Sequence, residues 1–242
     1  MKSRRLTETD IVNLAFKPVA TKRLRLTSLE RPKKIVGSYE PFRAHNGDAV
    51  NQQFPLLARE EPETPLATLE QVIARACKGD PELLAMNLPI ARATHDYAVE
   101  HGIRAIREDV RKLVLPFGHA YEFGMPLLMV YPTGRIAAVF PDLRRSEPLT
   151  AIGRRAAFSM MHHRWRENYP DLAQIDLEIW RYANNDLRSI QAIKCNEEDL
   201  FPYDQMIADA RQTYQIWHEV VANASDERKR GGTDWGPLFA KR

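Results

Sequence analysis

Cysteine is nearly absent from this sequence: Cys77 and Cys195 are the only two in 242 residues, they lie far apart, and neither belongs to a CxxC pair. A disulfide framework and a cysteine-based zinc site are thereby excluded, and two reduced, buried thiols are expected. No apolar run approaches the roughly 18 residues needed to cross a bilayer, so no membrane partner is expected. The opening residues Met1 to Glu8 lack the apolar stretch of a secretion signal, which makes the cytoplasm the expected compartment. The phosphate-cradling patterns GxxxxGKS and GxxxxGKT, the dinucleotide pattern GxGxxG and the serine-hydrolase elbow GxSxG are also missing. Nucleotide-loop enzymes and nucleophile-elbow hydrolases therefore leave no trace.

What is present is an ordinary globular composition, 44% hydrophobic and 28% charged, enough for one substantial core with appended segments. The net charge of +3 is unevenly spread. Up to Lys34 the chain carries Lys2, Arg4, Arg5, Lys17, Lys22, Arg23, Arg25, Arg31, Lys33 and Lys34 against Glu8, Asp10 and Glu30. A basic arm of this kind neutralises phosphates and releases counterions, which points to nucleic acid, with Arg4, Arg5, Lys22, Arg23, Arg25, Lys33 and Lys34 as contacts. Its apolar residues Ile11, Val12, Leu14 and Phe16 allow the alternative that the arm docks on the core or on a partner.

Breakers fill residues 37 to 66 (Gly37, Pro41, Asn46-Gly47-Asp48, Pro55, Pro62, Pro65), which predicts an extended linker or surface wrap. Helical spacing follows from Leu66 to Cys77, and Asp80-Pro81 supplies a cap and a first-turn proline for the next helix. Pro89 is expected to break or kink that helix before it ends at His101-Gly102. A short helix is predicted from Arg104 to Arg111. Leu127 to Tyr131 and Ile136 to Phe140 then flank Pro132-Thr133-Gly134-Arg135, the composition of a tight hairpin, and both arms are apolar at every position. Such arms are covered on both faces and belong at the centre of a sheet.

A long amphipathic helix over Thr150 to Tyr169, a strand from Ile175 to Tyr182 with one polar face, a partner strand from Ser189 to Cys195 and a last helix from Tyr203 to Ala222 complete the pattern. The fold class expected is α/β, a mixed central sheet flanked by helices, with an N-terminal helical subdomain and a basic extended arm. The divisions are 1–65 for arm and linker, 66–224 for the core with its leading helices, and 225–242 for a flexible tail.

The order helix, short strand, hairpin, helix, strand, with Met125-Pro126-Leu127-Leu128-Met129-Val130 and Gly134-Arg135-Ile136-Ala137-Ala138-Val139 as its hairpin, resembles the core of the restriction-endonuclease-like, or PD-(D/E)XK, superfamily. The resemblance implies magnesium held by an aspartate and an E-x-K triad, acting on nucleic acid. Here Leu127 stands where the first aspartate belongs, and Phe140-Pro141-Asp142-Leu143-Arg144 lies near the triad position. Hydrolysis would need two hard oxygen ligands for magnesium, and Asp142 with Glu122 are the candidates for both the catalytic and the metal-binding role. Arg144 cannot serve as general base because its guanidinium does not deprotonate.

His162 and His163 are adjacent, so on an α-helix they diverge by about 100° and cannot share a metal. His119 and Glu122 have an H-x-x-E spacing without a second histidine. Arg144, Arg145, Arg154 and Arg155, with Arg164 and Arg166 further along the long helix, can form a phosphate-binding face or a solvated one paired with Glu147, Glu167 and Asp171. In the tail, Thr233-Asp234-Trp235-Gly236-Pro237-Leu238-Phe239 has the composition of a partner-docking motif, with Trp235, Leu238 and Phe239 as contacts. Its Leu-Phe ending resembles bacterial sliding-clamp-binding peptides, without their glutamine. The leading expectation is a nucleic-acid-associated, nuclease-like component of a larger assembly. An active magnesium-dependent nuclease and a non-enzymatic protein-interaction subunit are the alternatives.

Overall fold

The computed structural model describes residues 5–30, 39–53, 62–116, 118–196, 198 and 200–231. In chain order its helices are α1 (Glu8–Leu14), α2 (Val19–Glu30), α3 (Glu40–Ala44), α4 (Asn46–Ala49), α5 (Leu66–Ala76), α6 (Pro81–Glu100), α7 (Ala151–Met161) and α8 (Tyr203–Gly231). The strands are β1 (Gln52–Gln53), β2 (Arg104–Arg107), β3 (Leu113–Val114), β4 (Ala120–Tyr121), β5 (Leu127–Val130), β6 (Ile136–Asp142), β7 (Asp176–Tyr182) and β8 (Ile190–Lys194).

The hairpin forms where its sequence places it. β5 and β6 pair antiparallel with Leu128 opposite Ala138 and Val130 opposite Ile136. Gly134 takes the positive φ of 80° that the turn requires, and Tyr131 N–H donates to the Arg135 carbonyl at 2.9 Å. Six strands run in the order β1-β2-β5-β6-β7-β8, with β6 and β7 parallel and β5 antiparallel to both its neighbours. β3 and β4 make a separate two-stranded ribbon.

Period-two alternation divides the sheet residues between two cores. Leu128, Ala138, Phe140, Leu177 and Ile179 pack with α1, α2, α7 and α8, through Val12, Leu26, Met160, Tyr214 and Trp217. Met129, Ala137, Val139, Trp180 and Tyr182 pack with α3 to α6, through Phe42, Val50, Ile73 and Ile90. Both faces of the central strands are thus dry, as their unbroken apolar character predicts.

Several expectations are corrected. Arg104 to Arg107 is a strand, because Gly102 (φ 59°) ends α6 and all four residues then pair with β5. The stretch read as a linker folds in part into α3, α4 and β1, with Phe42, Ala49 and Val50 buried; Phe42 N–H donates to the Asn87 side chain at 3.0 Å. Helix α6 continues through Pro89, since buried Asn87, Ile90 and Ala91 hold both halves against the sheet at the expense of one intrahelical bond. The polar face expected of β7 is absent: Glu178 is 1% exposed and accepts from Tyr131 Oη at 2.7 Å, Trp180 Nε1 at 3.0 Å and Arg135 Nη1 at 2.5 Å. Burial and the Glu178 carboxylate push the Tyr131 phenol far above its ordinary range.

The basic arm is the largest change. Residues 8–14 and 19–30 are helices docked on the core, and Lys22, fully buried, bonds Asp209 Oδ1 at 2.6 Å, Thr213 Oγ1 at 3.0 Å and Gln212 Oε1 at 3.3 Å. Arg23 pairs with Glu219 and Arg25 with Glu147. These three cations therefore fasten α2 to α8 and to the loop before α7. Arg4, Lys33 and Lys34 lie outside the described residues. Replacing Lys22 with alanine leaves Asp209 without its buried partner and should lower stability by about 3 kcal/mol. Urea denaturation checks this; an unchanged midpoint would return Lys22 to the solvated arm.

Candidate functional site

A cleft of about 400 Å³ opens where the outer ends of β5 and β6 meet the N-terminal segment. Pro126, Phe140 and Pro141 line it from the hairpin, Arg5 and Glu8 from the first segment and Arg43 from α3. A second hollow of about 500 Å³ shares Arg43, Asn46 and Pro126 with the first and runs past Leu127 and Arg107 to Gln52 on β1. The places where the nuclease resemblance wants acids are therefore lined by Leu127, Phe140 and Pro141.

The first segment is held over this cleft by a buried aromatic pair. Tyr121 Oη donates to the Leu6 carbonyl at 3.0 Å and shares a short hydrogen bond with Tyr214 Oη, while the Arg5 guanidinium lies 4.2 Å above the Tyr121 ring. Burial, then the bond to Tyr121, pushes the Tyr214 phenol far above its ordinary range. His119 stacks on Tyr214 at 5.3 Å between centroids, and its pKa is lowered by burial and then by Arg5 and His218.

The two candidate carboxylates are each already engaged. Asp142, 2% exposed, accepts from Leu149 N–H at 2.8 Å through Oδ2, with Arg144 Nε 3.8 Å from Oδ1. It organises the loop that leads to the Thr150 cap of α7. Glu122 pairs with Lys112 at 2.8 Å; its N–H donates to Glu8 Oε1 at 2.8 Å, and its carbonyl accepts a short bond from Arg164. Among the described residues no group of three or more His, Cys, Asp or Glu side chains is arranged to hold a metal ion. The pair Asp142 and Glu122 does not fit the magnesium site that the resemblance implies.

The arginines separate in the same way. Arg164 and Arg166 are buried, Arg164 donating to the Val110 and Arg111 carbonyls at 3.2 Å and Arg166 to the Ile175 carbonyl at 2.7 Å. Arg154 donates to the Leu149 carbonyl at 3.0 Å, and Arg155 lies 3.9 Å over the Phe201 ring. Arg144 is half-buried beside Asp142, and Arg145 is exposed. Sequence reasoning missed Arg188, which is 1% exposed and donates to the Leu143 carbonyl at 2.5 Å and the Ala183 carbonyl at 3.1 Å, tying the β7–β8 turn to the end of β6. Burial lowers its pKa from the ordinary arginine value.

His162 and His163 meet at one acceptor. The helix widens into a π-turn over His162–Glu167, and both rings reach one carboxylate, His162 Nε2 lying 3.4 Å from Glu167 Oε1 and His163 Nδ1 in a short contact with Oε2. His119 and Glu122 do not meet in one site, since His119 faces Tyr214 and Glu122 faces Lys112. Trp235, Leu238 and Phe239 lie outside the described residues.

The site thus defines an α/β protein with a cleft at the open end of its hairpin, bordered by Arg5 and Arg43, by Glu8 and Glu122, which are both already bonded, and by short segments at the sheet edge. The chain belongs to the family described as sliding clamp-binding bacterial toxin SocB, whose model matches residues 9–229. It is similar to the DNA replication inhibitor toxin SocB of Caulobacter vibrioides (strain NA1000 / CB15N), 29% identical over 236 residues, which cover 96% of this chain and 97% of that protein. No solved structure matches. No helix among the described residues is long and apolar enough to cross a membrane.

Two consequences can be measured. Asp142→Ala frees the Leu149 amide in a buried place and should cost about 1–3 kcal/mol in urea denaturation, without any metal present. A metal-dependent loss of stability in that variant would contradict the structural role. For His119 the folded pKa lies below the unfolded value of 6.5, so the unfolded chain takes up the proton first and stability falls as pH drops below that value. His119→Phe should reduce the shift in urea midpoint between pH 7.5 and 5.5; an equal shift would exclude His119 as a contributor.

Proposed function

We propose that this chain is a replication inhibitor that works as a protein-interaction module, by binding a bacterial sliding clamp. Membership of a clamp-binding toxin family over nearly the whole chain carries this reading. The charge distribution supports a protein partner over nucleic acid, because Lys22 is buried against Asp209 and Arg23 and Arg25 are paired at the surface with Glu219 and Glu147.

Clamp-binding peptides combine a glutamine with a leucine-phenylalanine ending, and two stretches of this sequence offer parts of that pattern. The tail carries Leu238-Phe239 and has no glutamine. Gln52-Gln53-Phe54-Pro55-Leu56-Leu57 has glutamines followed by three apolar side chains, and a proline that favours an extended backbone before it. Gln52 and Gln53 form β1 at one edge of the sheet, where Gln53 Nε2 donates to the Asn51 carbonyl at 3.2 Å; residues 54–61 lie outside the described part. We assign the clamp contact to this segment. A short apolar peptide seated in a groove of the clamp keeps other users of that groove away, which is sufficient to block replication.

Titration of the full chain with a purified bacterial sliding clamp tests the assignment. The double substitution Leu56→Ala and Leu57→Ala should weaken binding by roughly thirtyfold or more, the loss of about 2 kcal/mol expected for apolar anchors. Leu238→Ala with Phe239→Ala should leave it unchanged. The reverse pattern would move the contact to the tail, and no clamp binding by the unaltered chain would refute the reading.

A further inference from the structure

We propose that the outer edge of β8, which no described strand covers, and the groove beside it receive an extended peptide of a partner protein, one with an apolar core and acidic flanks. This goes beyond clamp binding, since β8 lies at the opposite edge of the sheet from β1.

The backbone register carries the first half of the argument. Cys195 N–H donates to the Leu177 carbonyl at 3.0 Å and Ala183 N–H to the Ser189 carbonyl at 2.9 Å, and between them Ile193 faces Ile179 and Gln191 faces Arg181. In an antiparallel ladder bonded and non-bonded pairs alternate, so residues 189, 191, 193 and 195 bond inward to β7. Ile190, Ala192 and Lys194 are the non-bonded partners of Tyr182, Trp180 and Glu178 and turn their N–H and C=O groups away from the sheet. β8 is the last strand in the order, so this outward row is set to pair with an added strand.

The second half is the chemistry beside that row. A groove of about 380 Å³ runs between α7 and β8, with Ile152, Phe158, Ile193 and Leu200 as its apolar lining. Ile152 is 49% exposed, unusual for so large an apolar side chain. Arg154, Arg155 and Lys194 also line the groove, and among the described residues no carboxylate does. Alternate side chains of an added strand point toward this groove, which takes apolar residues, while the cations favour acidic residues at its ends. An apolar floor under three cations suits a peptide better than a phosphate backbone, which gains nothing from Ile152 or Phe158.

The test uses the purified full chain and a fluorescein-labelled octapeptide with a valine-threonine core flanked by aspartates, read by anisotropy. Saturable binding is expected. Ala192→Pro removes one outward N–H and leaves the ladder to β7 intact, and should weaken binding by about tenfold, as should N-methylation of alternate peptide nitrogens. Ile152→Glu, at an exposed position, gives an independent loss should the proline variant fail to fold, and sliding-clamp binding by both variants is expected to persist. Absence of peptide binding overturns the proposal, as does binding indifferent to Ala192→Pro and Ile152→Glu. A labelled oligonucleotide bound through Arg154 and insensitive to Ile152→Glu would assign the groove to nucleic acid instead, and a dimer abolished by Ala192→Pro would assign the edge to a second copy.

Discussion

Antiparallel pairing of β5 with β6 is the constraint on which the rest of this structure depends. The two strands are buried on both faces, so they cannot exist without helices above and below. Phe140 faces the layer of α1, α2, α7 and α8, and Val139 faces that of α3 to α6. Each such side chain contributes roughly 1.5–3 kcal/mol by leaving water, and the neighbouring strands extend the same two surfaces. The N-terminal helices are recruited into this arrangement by Lys22 and by the Tyr121 and Tyr214 pair, which makes residues 5–30 part of the core architecture.

That recruitment decides what the cleft can do. A sheet whose hairpin ends in Leu127, Phe140, Pro141 and a buried, hydrogen-bonded Asp142 offers apolar surface, guanidinium groups and two carboxylates already in use, Glu8 on the Glu122 N–H and Glu122 on Lys112. Along the chain α6 is followed by β2, the ribbon of β3 and β4, the hairpin, α7 and β7. Such an order carries no chemistry of its own, because chemistry resides in the side chains placed on a frame. What this frame places outward is strand edge: β1 leading into a glutamine-headed apolar segment on one side, and β8 with its groove on the other.

The parts of the molecule that were legible in the sequence are those fixed locally. The hairpin declared itself through unbroken apolar arms and Gly134, and α6 through the Asp80 cap, whose carboxylate accepts from Glu82 and Leu83 N–H. What escaped was set at long range. Arg104-Ala105-Ile106-Arg107 becomes a strand because β5 pairs with it. Lys22 counts toward a basic arm until Asp209, 187 residues away, neutralises it. The π-turn at His162–Glu167 is one extra residue in a helical turn and leaves no periodic mark. Gln52 to Leu57 was hidden among breakers, and its glutamines gain meaning once the clamp-binding family is known.

Hydrogen–deuterium exchange of the full chain, free and saturated with a sliding clamp, tests the central claim most directly. The account predicts new protection confined to β1 and the residues that follow it, with the hairpin, the Asp142 loop and the β8 edge unchanged. Protection centred on residues 233–239 or on the cleft between Arg5 and Phe140, with none at 52–57, would contradict it.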